Sequence, residues 1–142
     1  MGKNKLQITY DFNFTLIALT VNLKPYRLAW FLNEKLDFSL AKQENIVLEF
    51  AANKKLAIVN YEHKTEYRTF KLLKNRAEEG TELFNAYLLP ELKNFDYFLL
   101  LENESSTFDE NVFLNKIKEI PFVQFAMKVD LDSLKSRDNL IF

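Results

Sequence analysis

The chain has 142 residues, 48% of them hydrophobic and 15% aromatic, with two glycines, three prolines, no cysteine and a formal net charge of −1. So much apolar surface on so nearly neutral a chain excludes disorder as a description of the whole, and the length suffices for a core without a disulfide or structural metal. The missing cysteine removes disulfides, thiol nucleophiles and cysteine-ligated zinc or iron–sulfur sites together.

No repeat, linker tract or break in composition divides the sequence, so residues 1–142 are expected to form a single domain. The start is basic, but Gln7, Thr9, Asp11 and Asn13 interrupt any apolar run, and no signal peptide is expected. The longest apolar runs fall far below the roughly 20 residues of a membrane span, which leads to the expectation of a soluble, cytoplasmic protein with no membrane contact.

Asn13 to Val21 is apolar on both faces and predicts a central strand. A helix should follow over Leu23 to Leu36, with Asn22 as N-cap, Pro25 in the first turn and a core stripe of Leu28, Phe31, Leu32 and Leu36. Period-two patterning over Ile46 to Ala52 and again over Leu56 to Tyr61, separated by Asn53-Lys54-Lys55, predicts a hairpin. Glu66 to Leu73 is more basic and reads as a lysine-protected sheet margin. Between Asn75 and Pro90 no period stands out, and Gly80 marks a turn or helix end.

Phe95 to Glu102 is a second doubly apolar strand. Thr107 and Glu110 stand at capping-box spacing before a helix over Phe108 to Ile120, which buries Phe113, Ile117 and Ile120 and ends at Pro121. A last strand, Phe122 to Leu131, alternates with Val123, Phe125, Met127, Val129 and Leu131 inward. The sum is an α+β fold: a mainly antiparallel sheet with two principal helices, ferredoxin-like (split βαβ) with extra hairpin strands. The two doubly apolar strands are expected side by side and parallel in the sheet centre, with both helices over one face.

Motifs for chemistry are mostly absent. There is no glycine-rich phosphate loop, no Gly-x-Ser-x-Gly elbow, and a single histidine, His63, expected to be solvated and without function. Carboxylates recur as Glu78 with Glu79 and Glu82, Glu91 with Asp96, Asp109 with Glu110, and Asp130 with Asp132, a frequency too high to be specific. Lys64, Tyr67, Arg68, Phe70, Lys71, Lys74 and Arg76 form the one basic and aromatic stretch, but a sequence pI near 5.9 argues against nucleic acid as a partner. Charge is uneven along the chain, with a net of +6 over residues 1–76 and −7 over residues 77–142. Packed halves whose charges interdigitate, or a dipolar molecule that docks to itself or a charged partner, both fit that division.

The stretch Leu89-Pro90-Glu91-Leu92-Lys93-Asn94-Phe95-Asp96-Tyr97 resembles the signature of the IPExxxVDY family of bacterial proteins, with Leu89 for Ile and Phe95 for Val. Pro90, Glu91, Asp96 and Tyr97 match outright, and the likeness extends to Asp11 to Leu36, Leu114 to Pro121 and Leu134 to Phe142. The resemblance implies a bacterial origin and brings neither a catalytic residue nor a cofactor. Each motif residue also has a structural reading. Pro90 turns the chain and biases Leu89 to an extended conformation, Glu91 and Asp96 accept from backbone N–H groups, and Tyr97 buries its ring with its hydroxyl on a polar partner. The functional alternative gathers Glu91, Asp96 and Tyr97 at the mouth of a pocket.

The closing Leu140, Ile141 and Phe142 are expected to dock on the domain's own core. A non-catalytic binding or assembly module, recognising a protein partner or a second copy of itself, needs none of the missing residues and leads the functional readings. A regulatory small-ligand domain of ACT-like shape is the alternative, and an enzyme using a carboxylate and tyrosine cluster is the third. No cofactor is expected.

Overall fold

The computed structural model describes residues 14–50, 54–78, 86–103 and 109–142. Expectations placed on the first thirteen residues, on Asn53, on Gly80 and on Thr107 lie outside them.

Strand β1, Phe14–Val21, sends Ile17, Leu19 and Val21 to one face of the sheet and Leu16 and Ala18 to the other, and all five are buried. Helix α1, Pro25–Leu36, begins with proline at its first position, where a missing N–H costs nothing. Its N-cap is Lys24 and makes no side-chain capping bond, in place of the expected Asn22. The helix ends at Asp37 in the left-handed region, a conformation that a short polar side chain tolerates.

Strands β2 (Ala41–Lys42), β3 (Ile46–Phe50), β4 (Lys54–Ile58), β5 (Asn60–Lys64) and β6 (Arg68–Lys74) follow. The expected hairpin exists as β3 against β4, but these two form a sheet of their own. The run read as one strand from Leu56 to Tyr61 divides at Val59, its first part joining the hairpin and its second the main sheet. β6 is not a margin: it pairs with β5 on one side and with β7, Tyr97–Asn103, on the other. Its lysines do not mark an edge, because Phe70, Leu72 and Leu73 are buried between them.

Helix α2, Glu110–Lys118, is capped by Asp109, whose carboxylate accepts the N–H groups of Asn111 and Val112. Glu110 is therefore the first helical residue and not the third of a capping box; its side chain accepts from Thr15 and pairs with Lys128. Strand β8, Val123–Lys128, ends the main sheet.

The main sheet has the order β2-β5-β6-β7-β1-β8, antiparallel throughout. β1 and β7 are neighbours, as expected of doubly apolar strands, but they are antiparallel and not parallel. The parallel relations skip a strand: β1 and β6 flank β7, and β7 and β8 flank β1; β7, α2 and β8 make a split βαβ unit around β1, whereas the chain from β1 to β6 passes through α1 and four further strands. Both helices cover the same face, where Leu28, Leu32, Phe113 and Ile117 meet Ile17, Leu72 and Leu99. On the opposite face the β3–β4 hairpin, Leu88, Leu89, Leu134 and Leu140 cover Leu16, Leu73, Phe98 and Leu100. At about 1.5 to 3 kcal/mol for each buried large side chain, these two layers dominate the stability of the fold.

Two more expectations are corrected at the C-terminal end. A register shift opposite Thr20 and Val21 breaks the alternation of β8, so Val123 packs on the helix side with the buried Ala126 while Met127, Val129 and Leu131 pack on the other; Phe125 is 53% exposed and touches Phe95. Of the last three residues only Leu140 is buried; Ile141 and Phe142 remain 36% and 49% exposed. Among the described residues no helix is long and apolar enough to cross a membrane.

Candidate functional site

Irregular backbone over a core must find hydrogen-bond partners one by one. For the segment before β7 the supplier is Asn75, which is fully buried just after β6. Its carboxamide oxygen accepts the Leu89 N–H at 2.9 Å, and its amide nitrogen donates to the carbonyls of Leu92 and Phe95, each at 3.0 Å. Its backbone carbonyl takes the Leu88 N–H, and its backbone N–H donates to the Asp96 carbonyl. Sequence reading missed this residue. An asparagine ending an apolar strand carries no signal of its own, and its five partners lie 13 to 21 positions away.

Pro90 opens a short 3-10 turn, Pro90–Leu92, behind an extended Leu89. Glu91 reaches the C-terminal segment, where its carboxylate accepts the N–H groups of Lys135 at 2.6 Å and Ser136 at 2.9 Å together with the Ser136 hydroxyl. Slight desolvation pushes its pKa up, and the Ser136 and Lys135 donors more than reverse this, holding the carboxyl below its ordinary value. Asp96 faces another way: its carboxylate accepts the Val21 N–H at 2.8 Å, tying the end of β1 to the start of β7. Tyr97 buries its ring among Ile17, Leu28 and Leu99 and donates its hydroxyl to the Leu23 carbonyl at 2.6 Å. Burial first, then the nearby Asp96 charge and Tyr61, push that phenol well above its usual range. Glu91 and Asp96 thus have separate partners and form no acid pair.

Asp96 and Tyr97, with Phe95, do line a cavity. It has a volume of about 650 Å³ and sits where the end of β1, the first turn of α1, the end of β6 and the start of β7 converge. Five cationic residues surround it, Lys24, Arg27, Lys74, Arg76 and Lys93, against one carboxylate, Asp96. Four of the five come from the positively charged half of the sequence. Tyr26 and Tyr87 complete the rim. Among the described residues Lys24, Lys74 and Lys93 enter no ion pair. The first turn of α1 contains no acidic residue, so the positive pole of the helix adds to these charges. Glu91 lies outside the cleft.

The other sequence candidates fall elsewhere. The basic and aromatic stretch does not form one face: Phe70 is buried under the helices, Lys71 stands over the Phe142 ring, and only Lys74 and Arg76 reach the cleft. His63 is half-buried, with partners beyond solvent; it stacks on Phe38 at 4.9 Å, and its Nδ1 accepts the Ser39 N–H at 3.0 Å. Asp109 and Asp130 cap local backbone. Among the described residues no three His, Asp or Glu side chains gather as metal ligands would. The carboxyls of Glu91, Glu110 and Glu119 are all held below their ordinary values, the reverse of what a general acid needs near neutral pH. What the cleft can do is attract and neutralise negative charge.

The chain matches no protein-family model, and no curated protein matches it in sequence.

Proposed function

We propose that the protein is a non-catalytic binding module and that the basic cleft is its recognition site for an anionic ligand. The observation that carries this is the charge imbalance: five cations and one carboxylate around a cavity of about 650 Å³, in a chain whose formal net charge is −1. Like charges held together destabilise the empty protein, and a bound anion offsets that cost. The volume falls within the usual range for small-molecule sites. Of the earlier readings this favours ligand binding over catalysis, since the Tyr97 hydroxyl is committed to a carbonyl and Asp96 to a backbone N–H. Membership of the IPExxxVDY family belongs to the same proposal, supported by the structural work found for Pro90, Glu91, Asp96 and Tyr97.

Calorimetric titration with inorganic pyrophosphate tests the cleft. Binding should weaken steeply with added salt, and the Lys24→Glu/Lys93→Glu variant, altered only at exposed positions, should lose at least tenfold in affinity. Equal affinity in that variant, or no binding by the wild type, overturns the reading. Sedimentation of the same sample addresses the assembly reading, for which the exposed Phe125 on the edge strand β8 is the supporting feature.

A further inference from the structure

The outer face of α1 carries two large aromatic side chains that contribute little to the core. Tyr26 is 61% exposed and Trp30 is 57% exposed. They stand one turn apart, about 6 Å along the helix axis. With Arg27 they bound an apolar hollow of about 360 Å³. Tyr26 and Arg27 line this hollow and the basic cleft alike, so the two are neighbours along the first turns of α1.

Neighbouring rings support one side of the hollow. Trp30 meets Phe31 edge to face at 5.1 Å, Phe31 packs on Phe122 at 5.3 Å, and the Arg27 guanidinium lies 5.8 Å from the Phe31 ring. An indole already braced in this way has less rotamer freedom to lose when a ligand arrives, which is the condition for a preorganised platform. Beside it, Lys24, Lys74 and Lys93 supply more positive charge than a single carboxylate or phosphate monoanion balances. One ligand chemistry satisfies both halves: several negative charges at one end and a planar ring system at the other.

We infer that the cleft and the hollow together bind a nucleoside di- or triphosphate, with the phosphates among Lys24, Lys74 and Lys93 and the base against Trp30 and Tyr26. The inference rests on the anion-binding reading above and adds the class of ligand. Stacking on an aromatic face tolerates any base, so the site as described selects a nucleotide without selecting which one. A free nucleotide fits better than a strand of nucleic acid, because the cations converge on one cavity and do not form a track.

Trp30 is the single tryptophan of the chain, so its fluorescence reports occupancy of the hollow directly. The protein is titrated with ADP, GDP, adenosine, pyrophosphate and a short single-stranded oligoadenylate, following both emission and heat. ADP or GDP should quench Trp30 and bind at least tenfold more tightly than pyrophosphate, while adenosine alone should bind far more weakly. Trp30→Ala, at an exposed position, should bring nucleotide affinity down to that of pyrophosphate and leave pyrophosphate binding unchanged. If pyrophosphate binds and neither nucleotide improves on it, the nucleotide inference fails and the anion-binding reading stands. If neither pyrophosphate nor a nucleotide binds, both fail. Oligoadenylate binding more tightly than ADP would overturn the assignment to a free nucleotide.

Discussion

The two faces of the main sheet are closed by different means. On one, α1 and α2 lie over Ile17, Leu72 and Leu99. On the other, the β3–β4 hairpin, the segment around Leu88 and Leu89 and the residues after Val129 lie over Leu16, Leu73 and Phe98. A helix brings its backbone hydrogen bonds with it. The irregular cover of the second face draws several of its own from side chains: Asn75 holds Leu89, Leu92 and Phe95, Glu91 holds Lys135 and Ser136, and Asn139 holds the Leu88 carbonyl. Polar residues in and around the 89–97 motif are therefore used as backbone partners, and the basic cleft opens at one end of the segment they fix.

The contrast is most exposed to test at Asn75. Asn75→Ala leaves the buried Leu89 N–H and the part-buried Phe95 carbonyl without their side-chain partner, while the Leu92 carbonyl keeps the Phe95 N–H. At about 1 to 3 kcal/mol for a stranded group, and with the part-buried carbonyl recovering water, the expected loss is about 2 to 4 kcal/mol. That overlaps the range of about 2 to 5 kcal/mol for emptying a large core position such as Leu32 under the helices. Urea unfolding measures both. A loss below about 1 kcal/mol at Asn75 would show that the second face does not depend on its side-chain hydrogen bonds.

The same contrast explains what was legible in the sequence. The central placement of β1 and β7 follows from apolar residues on both faces, and α1 and α2 follow from helical spacing of Leu28 with Leu32 and Phe113 with Ile117. Periodicity does not report strand direction or sheet membership, so the antiparallel β1–β7 pair, the separate hairpin and the interior position of β6 required the structure. Glu91 and Asp96 were legible as acceptors of backbone N–H groups, but not that Glu91 reaches 44 and 45 residues along the chain. The cleft was invisible, because Lys24, Lys74 and Lys93 are remote in sequence and ordinary one by one.

A smaller effect is expected at Glu91. The pair of main-chain N–H groups and the Ser136 hydroxyl hold an exposed carboxylate, so Glu91→Gln should cost about 1 to 2 kcal/mol at pH 7. Because the folded protein holds this carboxyl below its ordinary value of 4.5, its contribution is complete above that pH and is lost as pH falls through the lower folded value. Unfolding midpoints between pH 7 and pH 3 should fall further in the wild type than in Glu91→Gln. The parallel contributions of Glu110 and Glu119 are present in both proteins and drop out of the difference. Identical acid dependence would mean that the carboxylate does not clasp the C-terminal segment in solution.

The smallest effect separates what covers the second face from what merely adjoins it. Leu140 is buried beside Leu88 and Leu89, whereas Ile141 and Phe142 keep 36% and 49% of their surface exposed. Among the described residues Phe142 meets the Lys71 ammonium 5.2 Å from its ring centroid, and an exposed cation–π pair contributes about 0.5 to 1 kcal/mol. Ile141 adds one backbone bond to the Asp138 carbonyl at 3.2 Å. Removing the last two residues should therefore cost about 1 kcal/mol, against about 2 kcal/mol or more for Leu140→Ala in the full chain. A truncated protein that no longer folds would return all three residues to the core, as their apolar character predicts. One that unfolds with the wild type but sediments at a different molar mass would instead make Ile141 and Phe142 a contact between molecules, and the apolar surface they expose would have its explanation there.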